Sequence, residues 1–152
     1  MNCLSVPIHI AVGLASVAAA TPAALRAQQA PMEETSQPTL SVELNGAEVV
    51  DGGCRLTFFV ENGLGGDLGV LSLETAVLGL DRQVEQLTLF DFGELPAGRP
   101  RVRQFDLPDL ACEAIGVVLI NGVAACEGPG VEPGACQSAL GLSSRTDIGL
   151  LG

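Results

Sequence analysis

From Thr39 onward, apolar and polar residues alternate in short runs with a period of two, the signature of half-buried β-strands. LSVEL sets Leu40, Val42 and Leu44 on one face, and CRLTFFVEN does the same with Cys54, Leu56, Phe58 and Val60 before stopping at Asn62-Gly63. LGVLSLETAVLGL, residues 68–80, alternates through Leu71, Leu73, Thr75 and Val77. Leu and Ala would also permit a helix there, but the apolar positions fit alternation better than an i, i+3, i+4 stripe, and a strand is predicted. Asp81-Arg82 predicts a turn into VEQLTLFDF, where Leu87 and Leu89 share a side. LPAGRP reads as a loop and RVRQFDL as the next strand. AIGVVLINGVAAC carries Asn121-Gly122, the strongest short hairpin signal, between two apolar runs. A Gly/Pro-rich loop, EGPGVEPGA, precedes a last segment around ALGLSSRTDIGLL. About seven short strands punctuated by turns predict an all-β fold, an antiparallel immunoglobulin-like β-sandwich over residues 39–152.

The first residues follow a different pattern. An apolar run from Ile8 to Ala20 is too short to span a bilayer securely and fits the h-region of a signal peptide. Small residues allow cleavage after Ala20, Ala27 or Ala30; a signal peptide over 1–27 is predicted, followed by a polar linker over 28–38 that contains PMEETSQP. The segment before the run has no Lys or Arg and no twin arginine, and Cys3 precedes the run, where it cannot serve as a lipobox cysteine. An uncleaved anchor over residues 4–25 is the alternative.

Cys54, Cys112, Cys126 and Cys136 then form an even set in an exported chain, which reads as two disulfides with three possible pairings. A hairpin centred on Asn121-Gly122 places Cys126 opposite Val117, far from Cys112, and disfavours a 112–126 link. The short loop from Cys126 to Cys136 is easy to close, leaving Cys54–Cys112 as the second bridge. No Cys-x-x-Cys suggests a redox pair, and the spacing with no nearby histidine is a poor zinc set. No metal or cofactor is predicted.

Composition narrows the chemistry. The chain has no lysine, tyrosine or tryptophan, and its one histidine, His9, lies in the N-terminal apolar run. Without residues 1–30, six arginines face eighteen carboxylates, a net charge of −12. That field repels nucleic acid and anionic membranes and favours a soluble monomer. Ser-His-Asp and Cys-His catalysis cannot be assembled, nor a Schiff base, so no catalytic residue is predicted. The Gly-rich ENGLGGDLG lacks the spacing and lysine of a phosphate loop. Pairs such as Asp91/Glu94 and Asp106/Asp109 lack a calcium-loop pattern.

Against this acidity, GELPAGRPRVRQFDLP holds Arg99, Arg101 and Arg103 at alternate positions. In a strand these three share a face, and they are the predicted contact for a carboxylate-rich partner, for which the arginine fork is suited. Val102 then points inward, and burying Phe105 as well requires a β-bulge near Gln104. Replacing all three arginines is expected to leave folding nearly unchanged.

The stretch from Val60 to Cys112, with LFDFG, LPAGRPRVRQFDLP and the later LSSRTDI as its most recognisable parts, resembles a family of small exported bacterial proteins of unknown function, some labelled only by a twin-arginine signal. The resemblance spans residues 40–150, and this chain departs from it in lacking the Arg-Arg pair. The layout is also similar to small immunoglobulin-like modules on bacterial surfaces, a likeness of fold that carries no activity. Together these readings predict a periplasmic or secreted, disulfide-stapled, acidic binding module whose partner is another envelope protein. A carboxylate-based enzyme or small-ligand carrier is the alternative; two convergent carboxylates in a cleft would favour it, whereas a flat exposed strand edge or an arginine stripe favours binding.

Overall fold

The computed structural model describes residues 39–152. The signal peptide and linker expected over 1–38, with Cys3 and His9, lie outside the described residues. The described chain forms eight strands: β1 (Leu40–Val50), β2 (Gly53–Asn62), β3 (Val70–Gly79), β4 (Val84–Asp91), β5 (Arg101–Pro108), β6 (Ile115–Glu127), β7 (Leu140–Ser144) and β8 (Gly149–Leu151). A 3-10 turn over Cys112–Ala114 follows β5, and a short helix α1 (Ala135–Ala139) precedes β7. The strands make two four-stranded sheets, ordered β5-β2-β1-β7 and β4-β3-β6-β8, a β-sandwich as the alternation predicts.

β1 over Leu40–Leu44 and β2 through most of its length bury alternate residues, β3 buries Thr75, Ala76 and Val77 in succession, and the inner faces of the two sheets form one core. β1 contributes Leu40, Val42 and Leu44, β2 Leu56, Phe58 and Val60, and β3 Leu71, Leu73 and Val77. Phe58 is the hub of an aromatic cluster, 5.4 Å from Phe90, 5.7 Å from Phe92 and 5.8 Å from Phe105 between ring centroids. Phe90 and Phe105 stack at 4.3 Å, which ties β4 to β5 across the two sheets. The β1–β2 connection turns through Asp51-Gly52, with Gly52 at φ 81°, a conformation that favours glycine. Gly53 then lies so close to the Leu107 carbonyl of β5 that a Cβ there would collide with it.

Three expectations are corrected. The sandwich is not wholly antiparallel: β7 runs parallel to β1, and β8 parallel to β6. The chain leaves one sheet after Ser144, turns back where Ser144 Oγ meets the Ile148 carbonyl, and enters the other sheet at Gly149, which brings Gly152 beside Leu142. Second, Asn121-Gly122 makes no hairpin. β6 is one continuous strand from Ile115 to Glu127, paired along its length with β3. Its register slips past Gly116, Asn121 and Ala124, which sit in bulges. The long apolar β3 offers both halves of β6 a partner, and that pairing outweighs the local turn preference. Third, β5 pairs with β2 without a break from Gly53↔Pro108 to Val60↔Arg101, so there is no bulge at Gln104.

The disulfides join Cys54 to Cys112 and Cys126 to Cys136, with Cα separations of 4.9 and 6.2 Å. The expected pairing therefore stands, but not for the hairpin reason. Cys54 faces inward near the start of β2 opposite Leu107, and the turn after β5 brings Cys112 back beside it. Cys126 lies near the end of β6, and Cys136 is buried on α1.

Candidate functional site

The two outer faces of the sandwich differ in chemistry. On the sheet containing β1, outward positions are mostly polar. Arg55 Nε and Nη2 donate to the two carboxylate oxygens of Asp106 at 2.6 and 2.8 Å, Gln104 Nε2 donates to Thr57 Oγ1 at 3.0 Å, and Arg145 Nε donates to Glu43 at 2.8 Å. The Arg55 hydrogen bonds hold the Asp106 carboxyl below its ordinary range. The Asn45 side-chain hydrogen bond, followed by Arg145, does the same for Glu43. These exposed pairs satisfy one another across neighbouring strands.

The other sheet is different. On β4 the residues facing the core side are Gln86, Thr88 and Phe90, while Leu87 and Leu89 point to solvent, 74% and 57% exposed. Register continues this apolar surface inward from the edge. Leu87 lies opposite Ala76 of β3, Ala76 opposite Leu119 of β6, and Leu119 opposite Leu151 of β8. A second row runs from Val84 through Leu78 to Val117. Glu74, Leu87, Leu89 and the bulged Asn121 border a shallow depression of about 370 Å³. Single exposed leucines are ordinary, but a contiguous apolar sheet face on a strongly acidic chain is the pattern of an interaction surface.

The alternation that separates Leu87 and Leu89 from their neighbours is legible in VEQLTLFDF; which parity turns inward is not. Phe90 and Phe92 fall on the opposite parity, and their larger apolar area takes the core side. That competition within one strand was the available signal, and reading the leucines alone misses it.

The arginines do not form a solvent-facing row. Arg99 is exposed in the loop before β5 and Arg101 opens the strand. Arg101, Arg103 and Phe105 lie on the core-side parity, whereas Val102, expected to point inward, is 57% exposed. Half-buried Arg103 reaches across to the other sheet's trailing loop, its Nε donating to the Phe92 carbonyl at 2.7 Å and its Nη2 to the Glu94 carbonyl at 3.0 Å. Arg103 stands opposite Phe58 in the β2–β5 register, and its guanidinium satisfies the loop carbonyls. Arg101 Nη1 donates to the Pro100 carbonyl at 3.1 Å. Among the described residues, no three Asp, Glu, Cys or His side chains gather as a metal-binding group, and no helix is long and apolar enough to cross a membrane.

No family model and no curated protein matches the chain. A solved structure, the Salmonella enterica trimeric lipoprotein SadB, is similar at 19% identity over 46% of this chain and 40% of its own, with a TM-score of 0.41.

Proposed function

We propose that this protein is an exported, non-catalytic binding module of the bacterial cell envelope, which holds another envelope protein against the outer face of the β4-β3-β6-β8 sheet. The observation that carries this reading is the outward placement of Leu87 and Leu89, continuous with the apolar rows of β3 and β6. Two disulfides in the domain support an oxidising compartment, periplasmic or extracellular. The orders β5-β2-β1 and β4-β3-β6 support an immunoglobulin-like sandwich, with strand pairs distributed between the two sheets as in such domains. Arg99 and Arg101, exposed or half-exposed on the flank shared by β4 and β5, remain available to a partner's carboxylates; Arg103 serves the fold.

The test is affinity capture from an envelope extract with the wild-type chain and with a Leu87→Asp/Leu89→Asp variant. The expected result is a captured protein that the variant loses while its circular dichroism spectrum is unchanged. Equal capture by both forms would remove the apolar face from the function.

A further inference from the structure

The apolar face ends at β4, which among the described residues pairs with β3 alone. Alternate residues along Gln86–Asp91 therefore turn backbone N–H and C=O groups toward solvent in the plane of the sheet. Natural edge strands are blunted by proline, lysine, inward-pointing charge or bulges. The neighbouring edge, β5, has such protection: Pro100 precedes it, Pro108 ends it, and Arg101 and Arg103 lie on its core-side parity. β4 has neither proline nor lysine, and its one register irregularity lies at its start, by Glu85. The stretch Gln86–Asp91 is an unblunted edge beside exposed leucines.

Charge selects the occupant. Glu74 lies opposite Leu89, and Asp91 ends the strand. Glu85 stands at its other end, and the nearest cation in sequence is Arg82 in the preceding turn. Two β4 strands related by a two-fold axis through Thr88 would match Leu87 with Leu89, but would set Glu85 opposite Asp91 at both ends. Directly opposed like charges destabilise strand pairs, and each copy brings a net charge of −11. A strand ending in cations reverses both terms.

We propose that β4 accepts an extended segment of another protein as an added antiparallel strand, the segment carrying apolar residues at alternate positions and lysine or arginine near its ends. This rests on the binding-module reading and names its docking mode and the partner's chemistry. The backbone ladder would supply general affinity, the leucines would select the apolar parity, and the carboxylates would select the basic ends.

The probe is a short labelled peptide alternating valine and threonine between terminal lysines, compared with the same peptide ending in glutamates. Anisotropy titrations use the full 152-residue chain with its disulfides formed, and hydrogen exchange locates the contact. The lysine peptide should bind at least about tenfold more tightly than the glutamate peptide and lose affinity as salt rises. It should slow exchange at residues 86–91, and Leu87→Thr/Leu89→Thr should weaken it about tenfold. Equal binding of both peptides, no binding, or protection elsewhere would overturn the proposal. So would sedimentation as a dimer with β4 amides already protected, which would make a second copy the occupant. Envelope capture that requires Leu87 and Leu89 but leaves β4 amides unprotected would preserve the binding-module reading and overturn strand addition.

Discussion

Asn62 is the polar residue whose loss should cost the fold most. It ends β2 with its side chain buried, 1% exposed. Nδ2 donates to the Leu95 carbonyl at 2.7 Å and to the Gly66 carbonyl at 2.9 Å, while Oδ1 accepts the Leu64 N–H at 3.0 Å. One side chain thus ties the 63–68 loop to the segment after β4 that also pairs through Leu68 and Leu95. Asn62→Ala removes three hydrogen bonds, each with a net value of about 1 kcal/mol. Leu95 O keeps the Leu68 N–H at 3.0 Å, and Gly66 is half-buried, so water can restore part of the loss. The expected destabilisation is about 2–3 kcal/mol, or roughly 10 °C in Tm for a domain of this size. Asn62→Asp should be worse at neutral pH, because it turns a carboxylate toward two carbonyl oxygens in a buried site. The chain lacks tryptophan and tyrosine, so urea unfolding is followed by far-ultraviolet circular dichroism with the disulfides intact. A loss below about 0.5 kcal/mol for Asn62→Ala, or an aspartate variant milder than the alanine one, would refute this account of the loop.

Replacing Cys54 and Cys112 together by alanine should cost about 4 kcal/mol, and replacing Cys126 and Cys136 about 3 kcal/mol, because the longer loop gains more unfolded-chain entropy when cut. Urea denaturation of the two double variants checks the order; a larger cost for 126–136 would show that native packing, rather than loop length, dominates. Arg103→Gln should lower stability by about 1–2 kcal/mol, whereas Arg99→Gln and Arg101→Gln should stay within about 0.5 kcal/mol. Thermal melts of the single variants decide this, and equal effects would mean that the bonds to Phe92 and Glu94 contribute nothing. The triple replacement is therefore not expected to leave folding unchanged, as a solvent-facing row would have implied.

The sequence by itself determined the strand content, because a period of two is a local property of neighbouring residues. Leu40, Val42 and Leu44, or Leu56, Phe58 and Val60, identify a buried face without reference to anything distant. Cysteine number and the Pro/Gly-rich loop also limited the disulfide choices. Only the tertiary structure decided which parity of an ambiguous strand faces the core. β4 offers leucines on one side and phenylalanines on the other, and the stacking of Phe90 on Phe105, distant in sequence, settles it. The same dependence explains Asn121-Gly122: its local preference for a tight turn yields to the ladder that β3 provides along β6. Arg103 likewise becomes intelligible only once β5 lies across from the chain leaving β4, where two loop carbonyls need a donor. Alternation fixes the two sides of a strand; long-range pairing and burial decide which side is in.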